Sequence, residues 1–127
     1  MSEVVLDASA LLALLNREPG AEVVEGTIPG AAIGAVNLSE VVAKLAEGGM
    51  PEEAIRLALS GIELEVTPFD GPLACDAGLL RTETRRLGLS FGDRACIALG
   101  RQLGLPVMTT DRRWSELSVG VKVRVIR

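Results

Sequence analysis

Histidine is missing from this 127-residue chain. Its absence excludes Ser-His-Asp and Cys-His catalysis, histidine-held zinc and paired-histidine ribonuclease chemistry. Tyrosine is missing too, lysine occurs only at Lys44 and Lys122, and the aromatics are Phe69, Phe91 and Trp114 alone. So few rings argue against nucleic-acid modules that stack bases on aromatic platforms, such as RRM and OB folds. They also imply an aliphatic core of Leu, Val, Ile and Ala. Cys75 and Cys96 form no C-x-x-C pair, which argues against zinc and redox roles. Both fall in predicted helices, and two buried free thiols are expected. No apolar run approaches the roughly 20 residues that cross a bilayer, and the N-terminal segment has no basic, signal-like region. The expectation is a soluble, cytoplasmic protein with no membrane partner.

What remains for chemistry is carboxylates, hydroxyls, arginines and any metal that oxygen ligands can hold. At 48% hydrophobic residues the chain can fill one core, and its length suits a single domain over residues 1–127. The net charge of −4 is unevenly spread. Residues 1–66 carry 3 basic and 11 acidic side chains, whereas residues 67–127 carry 10 basic and 6 acidic. Nine of those ten are arginines, whose forked guanidinium suits phosphate. Solvated helix faces account for any one of them equally well.

Val4-Val5-Leu6 predicts a buried strand, and residues 8–16 a helix that closes before Pro19-Gly20. A weak helix follows over 21–26, then a buried strand over 31–36. Residues 37–46 form a helix with Asn37 as N-cap and Glu40 at the capping-box position. The next helix starts with Pro51 at its first position and ends at Gly61. A short strand spans 64–67. The helix over 72–87 sets Leu73, Ala77, Leu80, Thr84 and Leu87 on one face. Ser90 opens another over 91–103, with Asp93 three residues on. A strand over 106–109, a helical turn over 112–117 and a strand over 121–126 complete the chain. Short apolar strands alternating with helices predict an α/β fold. It is a three-layer α/β/α sandwich on a mostly parallel central sheet of about five strands.

In such sheets, sites form beyond the carboxyl ends of strands and at the helix starts that face them. Asp7 follows the first strand and Asp111 the fourth, while Glu40 and Asp93 fall in the opening turns of two helices. Each has a local role open to it: Asp7, Glu40 and Asp93 as caps, Asp111 as a turn residue. All four face one cleft if the first and fourth strands are neighbours. Two carboxylates about 4 Å apart repel by roughly 4 kcal/mol at an effective dielectric of 20. A cluster of four must therefore take up protons or a cation. The hard, oxygen-preferring ions are Mg2+ and Mn2+. Such an ion beside phosphate activates water for phosphodiester hydrolysis without histidine.

Val5-Leu6-Asp7-Ala8-Ser9-Ala10 resembles the opening strand of the PIN-domain ribonucleases, in particular the VapC toxins of toxin–antitoxin pairs. Asn37-Leu38-Ser39-Glu40-Val41 resembles their glutamate segment. Gly88-Leu89-Ser90-Phe91-Gly92-Asp93-Arg94 resembles their GLSLGDR helix start, with Phe91 in place of the commoner leucine. Thr109-Thr110-Asp111 resembles their terminal T-x-D motif, so the likeness runs from Val4 to about Leu117. It implies Asp7 and Asp93 as main metal ligands, with Glu40 and Asp111 completing a catalytic Mg2+ or Mn2+ site. Ser9 and Thr109 would bond the carboxylates or substrate, and Arg94 and Arg112 would hold RNA phosphates. It further implies an RNA substrate, a cognate antitoxin protein and a homodimer. A housekeeping RNA-processing nuclease and a non-catalytic PIN-like RNA- or protein-binding module stay open as alternatives. A dehalogenase-type phosphatase fits less well, because it needs an aspartate where Ser9 stands. An adhesion-type D-x-S-x-S metal site needs a serine where Leu11 stands.

Overall fold

A computed structural model describes residues 2–127. Five strands, β1 (Val4–Leu6), β2 (Ala31–Gly34), β3 (Leu64–Thr67), β4 (Val107–Thr109) and β5 (Val123–Val125), alternate with six α-helices. The helices are α1 (Ala8–Leu15), α2 (Ala21–Glu25), α3 (Ala35–Glu47), α4 (Glu52–Ser60), α5 (Gly71–Glu83) and α6 (Phe91–Leu103). Two short 3-10 turns, Arg85–Leu87 and Arg112–Glu116, follow α5 and β4.

The strands form one sheet in the order β3-β2-β1-β4-β5, and every pairing is parallel. From β1 the chain winds outward through β2 to β3, then crosses back to lay β4 against the other side of β1. That reversal opens a crevice past the carboxyl ends of β1 and β4, where sheets of this kind bind ligands. The side-chain alternation of a strand divides the core into two layers. Val4 and Leu6 of β1 and Met108 of β4 point to the face covered by α1, α2, α3 and α4. Val5 and Val107 point to the face covered by α5, α6 and Trp114. The three-layer sandwich is therefore as the apolar strand runs predict.

Local signals set most boundaries. Ser90 and Asp93 form a reciprocal capping box at the start of α6. Asp70 caps α5 through the backbone N–H of Leu73, and Gly104 closes α6 in the left-handed conformation. Three expectations change. Helix α3 begins two residues before Asn37, directly from β2, with Gly34 as N-cap and no side-chain cap bond. Asn37 is fully buried, and its amide is claimed by Gly92 of α6 and by Glu40, so it serves a tertiary contact instead of the helix end. Pro51 sits at the N-cap of α4, one position earlier than expected. Cys75 is exposed and Cys96 buried, because α5 packs only its Leu73-Ala77-Leu80 face inward. The core is also not wholly aliphatic, since Trp114 is fully buried in it.

Candidate active site

Asp7 ends β1 in an extended conformation and caps α1. One carboxylate oxygen accepts the backbone N–H of Ala10 at 2.8 Å and the Ser9 hydroxyl at 2.7 Å. The side chain is buried. Its pKa rises to about 6, chiefly because burial disfavours the charged form. Hydrogen bonds from Thr109, Ser9 and Ala10 partly offset this, and the Asp93 charge adds to the rise.

On α3, Glu40 receives a hydrogen bond from the Asn37 amide at 2.9 Å. The same amide donates to the Gly92 carbonyl at 3.0 Å, which joins α3 to the start of α6. A Cβ on Gly92 would overlap the Glu40 carboxylate. Only glycine lets the two helices meet with that carboxylate between them. Asp93 accepts from the Ser90 backbone N–H at 3.0 Å. Asp111, past β4, receives the Arg113 backbone N–H at 3.0 Å and the Arg113 guanidinium at 2.7 Å. Those Arg113 hydrogen bonds hold its carboxyl below the ordinary value.

Hydroxyls tie the two strand ends together. Ser9 accepts the backbone N–H of Thr110 at 2.9 Å, and buried Thr109 accepts that of Asp111 at 3.0 Å. The two hydroxyl oxygens stand 3.5 Å apart. Ser9 and Thr109 thus fix Asp7 relative to Asp111.

Asp7, Glu40, Asp93 and Asp111, drawn from four separate segments, line one cleft of about 450 Å³ together with Ser9 and Lys44. The buried Cys96 thiol is pushed well above its ordinary pKa, chiefly by burial and further by the charges of Asp7, Asp93 and Glu40. Among the described residues, however, no three His, Cys, Asp or Glu side chains are arranged to close around a metal ion. The hydrogen bonds explain why: Asp7 and Asp93 are turned to helix caps, Glu40 to the Asn37 amide and Asp111 to Arg113. In kind the donors fit a hard divalent ion. They are carboxylates and hydroxyls only, they share a crevice, and buried Asp7 has no ion-pair partner among the described residues.

The two arginines expected at phosphates lie elsewhere. Arg94 is buried, donates to the Ala77 carbonyl on α5 at 2.9 Å and has its guanidinium 6.0 Å from the Phe91 ring centre. Its position one residue past the capping box turns it toward α5, away from the acids. Arg112 is exposed, donates to the Arg127 carbonyl at 3.1 Å and does not line the cleft. The sequence reading missed Arg113 and Lys44. Lys44 stands four residues after Glu40, on the same helix face, which was the available signal.

Comparison with known proteins accords with this geometry. The family described as PIN domain matches residues 4–120. No curated protein sequence matches significantly. Among solved structures, DNA-bound VapBC from Salmonella typhimurium has a chain that is 22% identical, with a TM-score of 0.78 over 98% of both chains. VapC20 from Mycobacterium tuberculosis, described as a Sarcin-Ricin loop cleaving toxin, is 20% identical with a TM-score of 0.75 over 94% of this chain and 99% of that one. VapBC-5 of the same organism, a toxin–antitoxin family member, is 25% identical with a TM-score of 0.63 over 100% and 99%. With the matched profile covering nearly its whole length, the chain belongs to the PIN domain family.

Proposed function

We propose that the protein is a metal-dependent endoribonuclease that hydrolyses RNA phosphodiester bonds, and that it is the toxin of a toxin–antitoxin pair. The observation that carries the reading is the convergence of Asp7, Glu40, Asp93 and Asp111 on one cleft at the β1–β4 crevice. Support for the toxin role comes from the similar solved structures, which include toxin–antitoxin complexes. A cognate antitoxin and a second copy of the chain are the partners proposed on the same ground.

Asp7 and Asp93 would be the main ligands of Mg2+ or Mn2+, with Glu40 and Asp111 completing the site. When bound, such an ion stabilises the charge that develops on phosphate and lowers the pKa of water. The chain's own residues do the positioning. Ser9 and Thr109 lock Asp7 against the β4 end, and Asn37 keeps Glu40 turned to the α6 start. Near neutral pH the Asp7 carboxylate sheds its proton, which frees it to meet a cation. A second reading, a PIN-like module that binds RNA or a protein without cutting, is favoured by one observation: the acids do not close into a ligand set as placed.

One experiment separates the two. Structured and unstructured RNAs are incubated with Mg2+, Mn2+ or EDTA, beside an Asp93→Asn control. Metal-dependent cleavage lost in Asp93→Asn is the expected result. An Asp93→Asn variant that cuts as fast as the parent, or a parent that never cuts, defeats the nuclease assignment.

A further inference from the structure

The acidic cleft does not end at its carboxylates. A second cavity of about 380 Å³ adjoins it and shares Ser9, Leu12 and Lys44 with it. The shared residues make one groove that runs from the acids between α1 and α3 toward Arg127. Its charge reverses along the way. At the acid end, four carboxylates face Lys44 alone. In side-chain charge, the second cavity sets Lys44 and Arg127 against Glu18, to which Arg127 is paired.

Arg127 is held by one long, partly exposed ion pair to Glu18, and Lys44 by none among the described residues. Lys44 is exposed in the last turn of α3 and takes part in none of the ion pairs among the described residues. Arg127 reaches Glu18 and the Pro19 carbonyl only at 3.4 Å, a length at which hydrogen bonds are weak. Leu12 and Met50 supply an apolar wall, and Asn16 a side-chain amide that can donate and accept.

We propose that this second cavity is a nucleotide subsite: it takes the RNA residue next to the scissile phosphate, with Lys44 and Arg127 on the flanking phosphates. The inference rests on the ribonuclease reading and adds the path of the strand. Lys44 is the cation that lines the acid cleft, and Arg113 at its edge is taken up by Asp111. The cationic groups nearest along the groove are the ones that can neutralise the next phosphates. Leu12 and Met50 suit the face of a base or ribose. An acidic peptide meets the same cations but gains nothing from the carboxylate end.

The test is the salt dependence of binding. A fluorescein-labelled single-stranded RNA is titrated by anisotropy in Ca2+ over a range of KCl with all four acids intact, and a gel after each titration checks that the strand is uncut. Each phosphate left without its cation flattens the plot of log K against log[salt] by about 0.7 for a single strand. Lys44→Gln and Arg127→Gln are each expected to flatten it by that amount, and the pair by about twice as much. Both residues are at the surface, so melting temperatures stay at the parent value and folding is controlled. Unchanged slopes overturn the subsite, as does a polyglutamate peptide that competes for these residues where RNA does not. The parent's own cleavage assay reads the nuclease assignment separately. Cleavage with unchanged slopes sinks the subsite alone, and flattened slopes without cleavage sink the catalysis alone.

Discussion

Asp7 carries the energetic conflict of the site in a single side chain. Its folded pKa of about 6 lies above the ordinary value of 3.8, so the folded chain binds that proton more tightly than the unfolded one. Stability from this group is full below about pH 4 and is lost as pH rises through 6. A pKa difference of one corresponds to about 1.36 kcal/mol, so the ionised carboxylate destabilises the metal-free fold at pH 7.5 by on the order of 3 kcal/mol. Asp7→Asn keeps an oxygen for the Ala10 N–H and removes the charge. Calorimetry in EDTA should therefore find this variant melting several degrees above the parent at pH 7.5, with the gap closing toward pH 4. A variant that melts lower at pH 7.5 contradicts the buried-charge account. Asp111 has the opposite environment. Its partner Arg113 is half exposed, and solvent screening leaves such pairs contributing little to stability. Arg113→Ala should barely move the melting temperature yet raise the Asp111 pKa toward the ordinary carboxylate value, as a carboxyl-detected NMR titration would read.

Helices α3 and α6 meet where the site is built, and that contact is decided by Gly92. The alanine methyl at position 92 falls on the Glu40 carboxylate, the far end of a flexible side chain. Glu40 can swing away, so the helix pair survives while the acid leaves its place. Gly92→Ala is expected to fold with little loss of stability and to cut RNA about 100-fold more slowly, the usual consequence of an ångström-scale misplacement. Equal turnover in this variant would show that Glu40 need not stand where Asn37 holds it. The same contact explains what local reading of α3 misses. An Asn followed three residues later by Glu looks like a helix start, and only the approach of the Gly92 carbonyl shows that the amide is spent between helices. At α6 the local signal suffices, because Ser90 and Asp93 bond each other's backbone without outside help.

The crevice is built from strand ends and helix starts far apart in the chain, so anything held only by the native crevice stabilises the fold that forms it. A cation at 100 times its Kd adds about 2.7 kcal/mol. Mg2+ or Mn2+ should therefore raise the melting temperature by several degrees, EDTA should reverse the shift, and Asp93→Asn should abolish it. The lone tryptophan, buried beneath the turn after Asp111, makes intrinsic fluorescence a suitable readout. A melting temperature indifferent to millimolar metal speaks against a site formed in the free protein.

Sequence by itself determined the order of elements, and it singled out the four acids as candidates by leaving no histidine to compete with them. These are local matters: an apolar triplet, a capping residue or a missing histidine is legible within a few positions. Tertiary structure alone decided that β4 lies against β1, that the acids share one cleft, and that Arg94 turns into the core. It also decided that Arg113, and not Arg112, engages Asp111. Strand neighbours are chosen by which buried faces and crossovers fit together between segments far apart in the chain. An arginine's direction depends on what its helix packs against, and neither is written in the residues beside it.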